Sequence, residues 1–495
     1  MAELEHVTTI TAGPHDVGLV ALEIAWISGT PYLLTGSEID GGLVSYAIST
    51  SGLTYTDHDS QGPNSGTAGL SDIDVIDING QPVLIPSGRA DDNTALHVLD
   101  PAGAFDGFFL PDDAAGWLSG TEVATTASVL GTTFVITSQW GQPDLHVFSI
   151  GSGLGLNLTH STSTSDTPAA SDVTDLETIT IGDRAFVFSL SGSDGTITTH
   201  WLGHLGDMRL MGVIGPDQGL WVSAPTALAT AEVGDLGLLI VGAAGSNSLS
   251  VVSVGPYGET TVLSHYLDSR DTRFGGVQAV ETFEIGNRSF VIAGGGDDGL
   301  SVFEILPGGA LYHLDTIADQ TDTTLMNLSA IAVAVLDGVA QIFASGSDEG
   351  VTQFALDLSD LSDSQIGSDQ GDVISGDGGQ NLLAGMAGDD TLSAGGGDDR
   401  LIDGSGQDTL FGGAGADVFI FVADGEHDMI ADFENGTDLI HLGEIPMLYG
   451  FDQLTLTPQG DGVQLAFGNE TLLIMPDSGT LQVSDLTADD FIFGF

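Results

Sequence analysis

Acidic and amide side chains recur at a fixed interval in one part of this chain. From Gly367 to Ile420 the sequence consists of six consecutive nine-residue units: GSDQGDVIS, GDGGQNLLA, GMAGDDTLS, AGGGDDRLI, DGSGQDTLF and GGAGADVFI. The sixth place of each unit holds Asp372, Asn381, Asp390, Asp399, Asp408 and Asp417, in that order. Because Ca²⁺ takes about six to eight oxygen ligands from carboxylates and backbone carbonyls, this spacing predicts a row of calcium ligands.

Each unit is expected to form a glycine-rich turn followed by a very short strand. The eighth place is apolar in every unit, which predicts a continuous buried row: Ile374, Leu383, Leu392, Leu401, Leu410 and Phe419. If two units make one coil, residues eighteen apart stack on the same side. That arrangement places Asp372, Asp390 and Asp408 on one side and Asn381, Asp399 and Asp417 on the other. Four further carboxylates add charge nearby: Asp377, Asp389, Asp398 and Asp403.

The units follow the pattern G-G-x-G-x-D-x-U-x, and the run resembles an RTX (hemolysin-type) calcium-binding β-roll. The resemblance implies Ca²⁺ as the cofactor and the six sixth-place residues as its ligands. This chain departs from the pattern at Gln370 and Asn381, so we expect the first coil to bind calcium weakly.

The segment after the repeats also resembles type I secreted RTX proteins. It reads ADVFIFVADGEHDMIADFENGTDLIHL from Ala416 to Leu442, and the chain ends in LTADDFIFGF, an acidic pair before apolar residues. The resemblance implies export by type I secretion machinery, folding outside the cell, and an extracellular or surface location. The first residues, MAELEHVTTI, lack the basic and apolar regions of a Sec signal peptide.

Composition excludes several classes of function. The chain has 70 Asp and Glu against 7 Lys and Arg, for a net charge of −63, so nucleic acid is not expected as a partner. With 41% hydrophobic residues it can still bury a large core. It has no cysteine for disulfides. It also has no uninterrupted run of about eighteen apolar residues, so no transmembrane segment is predicted.

A second and longer period occupies the chain up to about Ser359. A glycine followed by an apolar strand recurs at spacings of 51, 51, 51, 52, 52 and 52 residues: Gly29, Gly80, Gly131, Gly182, Gly234, Gly286 and Gly338. Each anchor lies among about four short strands, a pattern typical of β-propeller blades. Seven anchors predict seven blades. The last repeat lacks its outer strand, and Glu3–Ala12 is a spare one, so we expect the N-terminal strand to complete the seventh blade.

The predicted fold class is therefore all-β, with a seven-bladed β-propeller, a parallel β-roll and a small β-rich C-terminal secretion domain. The predicted domains are the propeller at 1–360, the roll at 361–420, and a C-terminal cap with the secretion signal at 421–495.

Candidate chemistry in the propeller is sparse. Five acidic residues lie on or near the strands before the anchors: Glu23, Asp74, Asp77, Glu177 and Glu281. They could form a cation site or an acid–base site in the central channel. The favoured interpretation is that they are charges on the rim of the propeller. Asp72, Asp74 and Asp77 are spaced for one strand face. His97 and His146 occupy equivalent blade positions, and we expect them on the solvent face. No nucleophile elbow or zinc motif is present, so no catalytic residue is predicted.

Four tryptophans could stack on sugar rings or pack over neighbouring blades: Trp117, Trp140, Trp201 and Trp221. The blade pattern GLSVFEI…GGALYHLDTI also loosely resembles seven-bladed lactonase-like propellers, without a catalytic residue that can be carried over. Three functions stay open. The first is a secreted calcium-binding protein whose propeller binds a glycan or surface protein, as in adhesion. The second is an extracellular hydrolase or lactonase, and the third a structural matrix or surface-layer protein. Calcium-driven folding after export is common to all three.

Overall fold

The computed structural model describes residues 3–11, 13–59, 67–78, 80–91, 94–109, 118–151, 155–162 and 172–494. The chain divides into two compact units, which are treated separately below. The larger comprises Ala2–Glu284 and Ser289–Asp357, and the smaller comprises Leu358–Phe495 with Ile285–Arg288 and Met1. Within the described residues, no helix is both long and apolar enough to cross a membrane.

The larger unit is a seven-bladed β-propeller built from seven four-stranded sheets, as the sequence period predicts. In chain order, the first three blades are β2 (Leu19–Ile27), β3 (Thr30–Ser37), β4 (Leu43–Ser49) and β5 (Gly52–Asp59); β6 (Leu70–Ile78), β7 (Gln81–Gly88), β8 (Leu96–Leu99) and β9 (Phe105–Phe109); and β10 (Thr121–Val129), β11 (Thr132–Gln139), β12 (Leu145–Ile150) and β13 (Leu156–Ser161). The next three are β14 (Asp175–Ile181), β15 (Arg184–Ser191), β16 (Thr196–Leu202) and β17 (Met208–Ile214); β18 (Pro225–Val233), β19 (Leu236–Ala243), β20 (Ser248–Val254) and β21 (Thr260–Leu267); and β22 (Val277–Ile285), β23 (Arg288–Gly295), β24 (Gly299–Ile305) and β25 (Leu311–Ala318). A short 3₁₀ helix, Pro216–Gln218, follows β17.

The seventh blade joins the two ends of the propeller sequence. It consists of β26 (Ala330–Leu336), β27 (Val339–Ser345) and β28 (Val351–Asp357), with β1 (Leu4–Ile10) as the outer strand. β1 runs antiparallel to β28, from the pair Leu4 and Leu356 to the pair Ile10 and Val351. Pairing the last blade with the first strand closes the ring by backbone hydrogen bonds and leaves only short sheet edges.

The anchor glycines form the hairpins between the first and second strands of the blades. All seven have positive φ, between 60° and 84°. At Ser28–Gly29 both turn residues are in the left-handed region, with φ of 53° and 82°. Two-residue turns of this kind match the twist of the strands they join, and they favour glycine at the second place.

Second strands of the blades are buried on both faces, which explains their continuous apolar runs. Leu33 and Leu34 in β3 are both fully buried although neighbouring strand residues point to opposite faces. Leu33 packs with Phe343 of the seventh blade, whereas Leu34 packs with Leu84 of the second. Each blade is thus covered by both of its neighbours.

The smaller unit is a parallel β-roll with two sheets. One sheet has the order β29 (Gln365–Ile366), β31 (Leu382–Ala384), β33 (Arg400–Ile402), β35 (Val418–Ile420), β37 (Leu439–His441) and β41 (Phe491–Ile492). The other has the order β30 (Val373–Ser375), β32 (Thr391–Gly396), β34 (Thr409–Ala414), β36 (His427–Phe433), β40 (Glu470–Pro476), β39 (Gly462–Phe467) and β38 (Thr455–Gln459). The last three strands form antiparallel pairs. Two 3₁₀ helices, Phe451–Gln453 and Ala488–Asp490, complete the unit.

Strands of the repeats stack with a register of eighteen residues, which confirms two units per coil. Val373 pairs with Thr391, and Leu382 pairs with Arg400. The eighth-place side chains from Leu383 to Phe419 are fully buried in one core. Residues after 420, predicted as a separate cap, add strands to these same two sheets and side chains to the same core.

Candidate functional site

Glycine-rich turns bring the backbones of successive coils into close contact. A Cβ atom at Gly406 would lie 2.1 Å from the carbonyl oxygen of Gly388, eighteen residues earlier. A Cβ at Gly413 would lie equally close to the oxygen of Gly395. Only glycine fits at such positions, where φ is also positive. The turns therefore stack one above another and carry the sixth-place side chains in register.

Each sixth-place aspartate of the later units bonds to the backbone of the preceding coil. One carboxylate oxygen accepts a hydrogen bond from the N–H group eighteen residues earlier. The donor–acceptor distances are 2.7 Å from Asp372 to Asp390, 2.7 Å from Asn381 to Asp399, 2.7 Å from Asp390 to Asp408 and 3.0 Å from Asp399 to Asp417. The carboxylates thus form two ladders, one along each side of the roll, as the sequence predicts.

The second oxygen of these four aspartates is the notable feature of the ladder. The Oδ2 atoms of Asp390, Asp399, Asp408 and Asp417 are buried and have no hydrogen-bond partner among the described residues. Burial raises the pKa of Asp399 to about 6 and the pKa values of Asp408 and Asp417 to about 7. Because an unsatisfied buried carboxylate is costly, these oxygens fit a cation that prefers oxygen ligands. The residues present therefore suit calcium.

The first coil is different. Asp372 accepts hydrogen bonds from the N–H and the hydroxyl group of Ser368, and these bonds lower its pKa. Asn381 donates from Nδ2 to the oxygen of Gly379 at 2.6 Å and to Oδ1 of Asp399 at 3.2 Å. Neither residue presents a buried, unpartnered oxygen. Weak calcium binding by this coil stays a prediction, now with a structural reason.

The structure extends both ladders beyond the six units. Asp428 accepts from the N–H of Asp408 at 3.1 Å, and Asp438 accepts from the N–H of Asp417 at 3.0 Å. Neither residue could be found from the repeat pattern, because their spacings, 20 and 21, break the nine-residue period. A signal was present, since each is followed two places later by an inward apolar residue, Ile430 or Ile440.

Three carboxylates converge at the start of the fifth unit. Oxygen atoms of Asp403, Asp408 and Asp428 lie within 4.8 Å of one another. Asp403 occupies the first place of its unit, where the pattern has glycine, and it accepts hydrogen bonds from the N–H groups of Gly404 and Val422. Burial, and then the charge of Asp428, raises the pKa of Asp403 well above its usual range. The sequence had marked Asp403 only as nearby charge.

The propeller gathers a second group of carboxylates. Glu23, Asp74, Glu177 and Glu281, considered from the sequence as a possible cluster, line one cavity of about 570 Å³. The structure adds two residues to the cluster, Asp72 and Asp175. The favoured interpretation as rim charges is therefore wrong for these four. It holds for Asp77, which is exposed and accepts a hydrogen bond from the N–H of Gly80 in its own hairpin.

Other predicted side chains have mixed outcomes. His97 and His146 are buried, so their placement on the solvent face is wrong; third strands, like second strands, are covered by both neighbouring blades. Trp140 and Trp221 are 66% and 73% exposed, whereas Trp201 packs against an apolar cluster between blades. Trp117 lies outside the described residues.

Comparison with known proteins identifies the roll. Residues 366–401 and 393–421 match the RTX calcium-binding nonapeptide repeat. No curated protein matches the chain. A solved structure of a functionally unknown protein from Desulfotomaculum acetoxidans is similar at 12% identity, with a TM-score of 0.46, over 62% of this chain and 87% of that one. The chain therefore carries RTX calcium-binding repeats within a parallel β-roll, together with a seven-bladed β-propeller.

Proposed function

We propose that this protein is exported by type I secretion machinery and that its roll folds on extracellular calcium. The observation that carries the proposal is the row of buried, unpartnered oxygens on Asp390, Asp399, Asp408 and Asp417. Calcium, when bound, supplies the positive charge that these oxygens lack. The residues that would hold it are the six sixth-place side chains, together with Asp403, Asp428 and Asp438.

The ladder explains why metal binding and folding are coupled. Each ladder aspartate accepts a backbone hydrogen bond from the preceding coil, so its position exists only in the folded roll. At low calcium the stacked carboxylates repel one another, which favours the extended chain that an export channel can pass. Sites of the extracellular class have dissociation constants of about 10⁻⁴–10⁻³ M. Binding outside the cell then adds directly to the free energy of folding.

Hydrogen exchange on the full-length protein tests this proposal. The amide groups of Asp372, Asn381, Asp390 and Asp399 donate to ladder carboxylates, so we expect strong protection at millimolar calcium and rapid exchange in chelator. Amides of β19 in the propeller provide the internal control, since they should stay protected in both conditions. Equal protection of the ladder amides with and without calcium would contradict the proposal.

We further propose that the propeller is the module that binds an extracellular glycan or surface partner. Trp140 follows the second strand of its blade, and Trp221 lies between the outer strand of one blade and the inner strand of the next. Chain direction alternates in these sheets, so both positions are at the same end of the blades, and both indole rings are exposed. Flat aromatic surfaces of this kind suit the apolar faces of sugar rings.

A polysaccharide panel tests the glycan proposal. Trp140→Ala and Trp221→Ala should weaken retention on an immobilised polysaccharide that the native protein binds. Trp26→Ala is the matched control, because Trp26 is 54% exposed but lies beside the hairpin at the opposite end of its blade. Equal retention of all three variants would rule out this face as the binding surface.

An extracellular hydrolase or lactonase is the second candidate, and the carboxylate-lined cavity of the propeller favours it. Buried carboxylates with raised pKa values can act as general acids or bases near neutral pH. Turnover of a lactone or ester panel in the presence of calcium, lost on Glu281→Gln, would support this candidate. Absence of turnover across the panel, combined with retention on one polysaccharide, would support the binding function.

A further inference from the structure

The cavity of the propeller is lined by the first strands of the blades, and six of the seven carboxylates that line it come from four blades. Glu23 lies on β2, Asp72 and Asp74 on β6, Asp175 and Glu177 on β14, and Glu281 on β22. These residues are distant in sequence but line the same cavity. Burial, and then the charges of Asp74 and Glu281, raises the pKa of Glu23 well above its usual range. The cluster is a product of the ring and does not exist within any single blade.

No basic side chain neutralises this group among the described residues that line the cavity. Arg89 is the one basic residue there, and its guanidinium is already paired with a different carboxylate. Its Nε donates to Oε2 of Glu122 at 2.7 Å, and its Nη2 donates to Oε1 at 2.6 Å. Six carboxylates therefore share the cavity without a cationic partner.

The hydrogen bonds of the cluster leave an acceptor unused. Asp175 is well satisfied, because Leu176 and Leu228 donate their N–H groups to its two oxygens at 2.7 and 2.6 Å. In contrast, the Oδ2 atom of Asp74 is buried and has no hydrogen-bond partner within the described part of the chain. Asp74 is one of the residues that line the cavity of about 570 Å³. An unpartnered buried carboxylate oxygen indicates a group that completes it.

We propose that the propeller channel is a second cation site, independent of the roll, in which carboxylates from the group Glu23, Asp74, Glu177 and Glu281 bind a hard divalent cation and water completes its ligand shell. Oxygen ligands without nitrogen or sulfur donors select calcium or magnesium over zinc or copper. The width of the cavity and the number of carboxylates favour calcium, which accepts many ligands and flexible geometry. A bound cation links the first, second, fourth and sixth blades across the channel.

Bound calcium in the full-length protein can be counted to test this site. The variant Asp74→Asn/Glu281→Gln removes two channel charges and is compared with Asp77→Asn/Glu284→Gln. The control removes two charges from the same two strands at exposed positions. After gel filtration in calcium, elemental analysis should find at least one ion fewer per chain in the channel variant only. The roll is unchanged in both proteins, so its calcium cancels in the comparison.

A second readout reports on the propeller alone. All five tryptophans precede residue 222, so tryptophan emission does not follow the roll. Calcium should raise the emission-detected melting temperature of the native and control proteins and leave that of the channel variant unchanged. In chelator the channel variant should melt at a higher temperature than the native protein, because the repulsion between buried carboxylates has been removed.

If the double variant does not fold, Glu281→Gln alone is measured in the same way. Equal ion counts and equal calcium shifts in all proteins would overturn the proposal, whatever the roll does.

Discussion

Both units bury carboxylates, but they hold them in different ways. In the roll, each ladder aspartate is part of the backbone hydrogen bonding between coils, as in the bond from the N–H of Asp390 to Asp408. In the propeller, the channel carboxylates line a cavity inside a ring whose blades are held together by apolar contacts. The charged side chains thus form part of the hydrogen-bonded structure of the roll, whereas in the propeller their mutual repulsion opposes folding.

The apolar cores of the two units differ accordingly. Within the repeats, the roll buries one row of eighth-place side chains, because the strands there are three to six residues long. A propeller blade buries both faces of its second strand, as Leu33 and Leu34 show. Burying a leucine contributes about 1.5–3 kcal/mol, so blades accumulate stability that the repeats cannot. Calcium should therefore decide whether the roll folds and should change the stability of the propeller only slightly.

Removing calcium is the strongest test of this difference. In chelator we expect the full-length protein to lose most of the far-ultraviolet β signal contributed by residues 358–495. The tryptophan-detected melting temperature of the propeller should fall by only a few degrees, which corresponds to about 1–2 kcal/mol for domains of this size. Circular dichroism and tryptophan emission, recorded on the same sample during a calcium titration, provide both measurements. Simultaneous loss of both signals would show that the two units unfold as one.

A single ladder carboxylate should have the next largest effect. Asp408→Asn keeps an oxygen that can accept the N–H of Asp390 but removes the buried charge. We expect the calcium concentration at the midpoint of roll folding to rise about tenfold, equivalent to about 1.4 kcal/mol. Asp452→Asn, at an exposed carboxylate of the same unit, is the control for net charge. A shift of similar size in both variants would mean that overall charge, and not the ladder, controls the transition.

Asp403 should contribute less than Asp408. Asp408 accepts a hydrogen bond from the N–H of Asp390 and donates its own N–H to Asp428. Asp403 only adds a third carboxylate to the group that it forms with Asp408 and Asp428. Asp403→Asn retains an acceptor for the N–H of Val422, so we expect the midpoint to rise only about two- to fivefold, or about 0.4–1 kcal/mol. The same circular dichroism titration checks this prediction. A shift larger than that of Asp408→Asn would make Asp403 the dominant ligand of the site.

The roll could be predicted in detail because its structure repeats at the scale of nine residues. Turn, inward side chain and carboxylate all recur within one unit, so spacing alone gives the stacking of Asp372, Asp390 and Asp408. Ladder residues could not be predicted beyond the point where the nine-residue period ends. Asp428 and Asp438 continue the same hydrogen bonding across spacings of 20 and 21 residues, which backbone pairing tolerates and a fixed period does not reveal.

In the propeller, the fold could be predicted from the sequence, but the cluster of channel carboxylates could not. Seven blades and the role of the N-terminal strand follow from the spacing of the anchor glycines. The channel cluster does not, because its members stand at different offsets from their anchors and meet only after the ring closes. His97 was misplaced for a related reason: alternation within a strand cannot show that a second sheet covers its outer face.

The pH dependence of the propeller is the subtlest test of the comparison. Burial raises the pKa values of Asp74 and Asp175 to about 7 and that of Glu281 to about 8. Unfolding returns each carboxyl to a pKa near 4, so between about pH 4 and pH 8 the folded state binds more protons than the unfolded state. In chelator, the contribution of these three groups to the stability of the propeller should therefore be most favourable below about pH 4. It should fall as pH rises and level off above about pH 8. Because these carboxylates are only partly buried, we expect a decrease of several degrees in the tryptophan-detected melting temperature from pH 5 to pH 8. The variant Asp74→Asn/Glu281→Gln should flatten this profile, and Asp77→Asn/Glu284→Gln should not. A native profile that rises across the same range would show that the channel carboxylates are already neutralised by something other than protons.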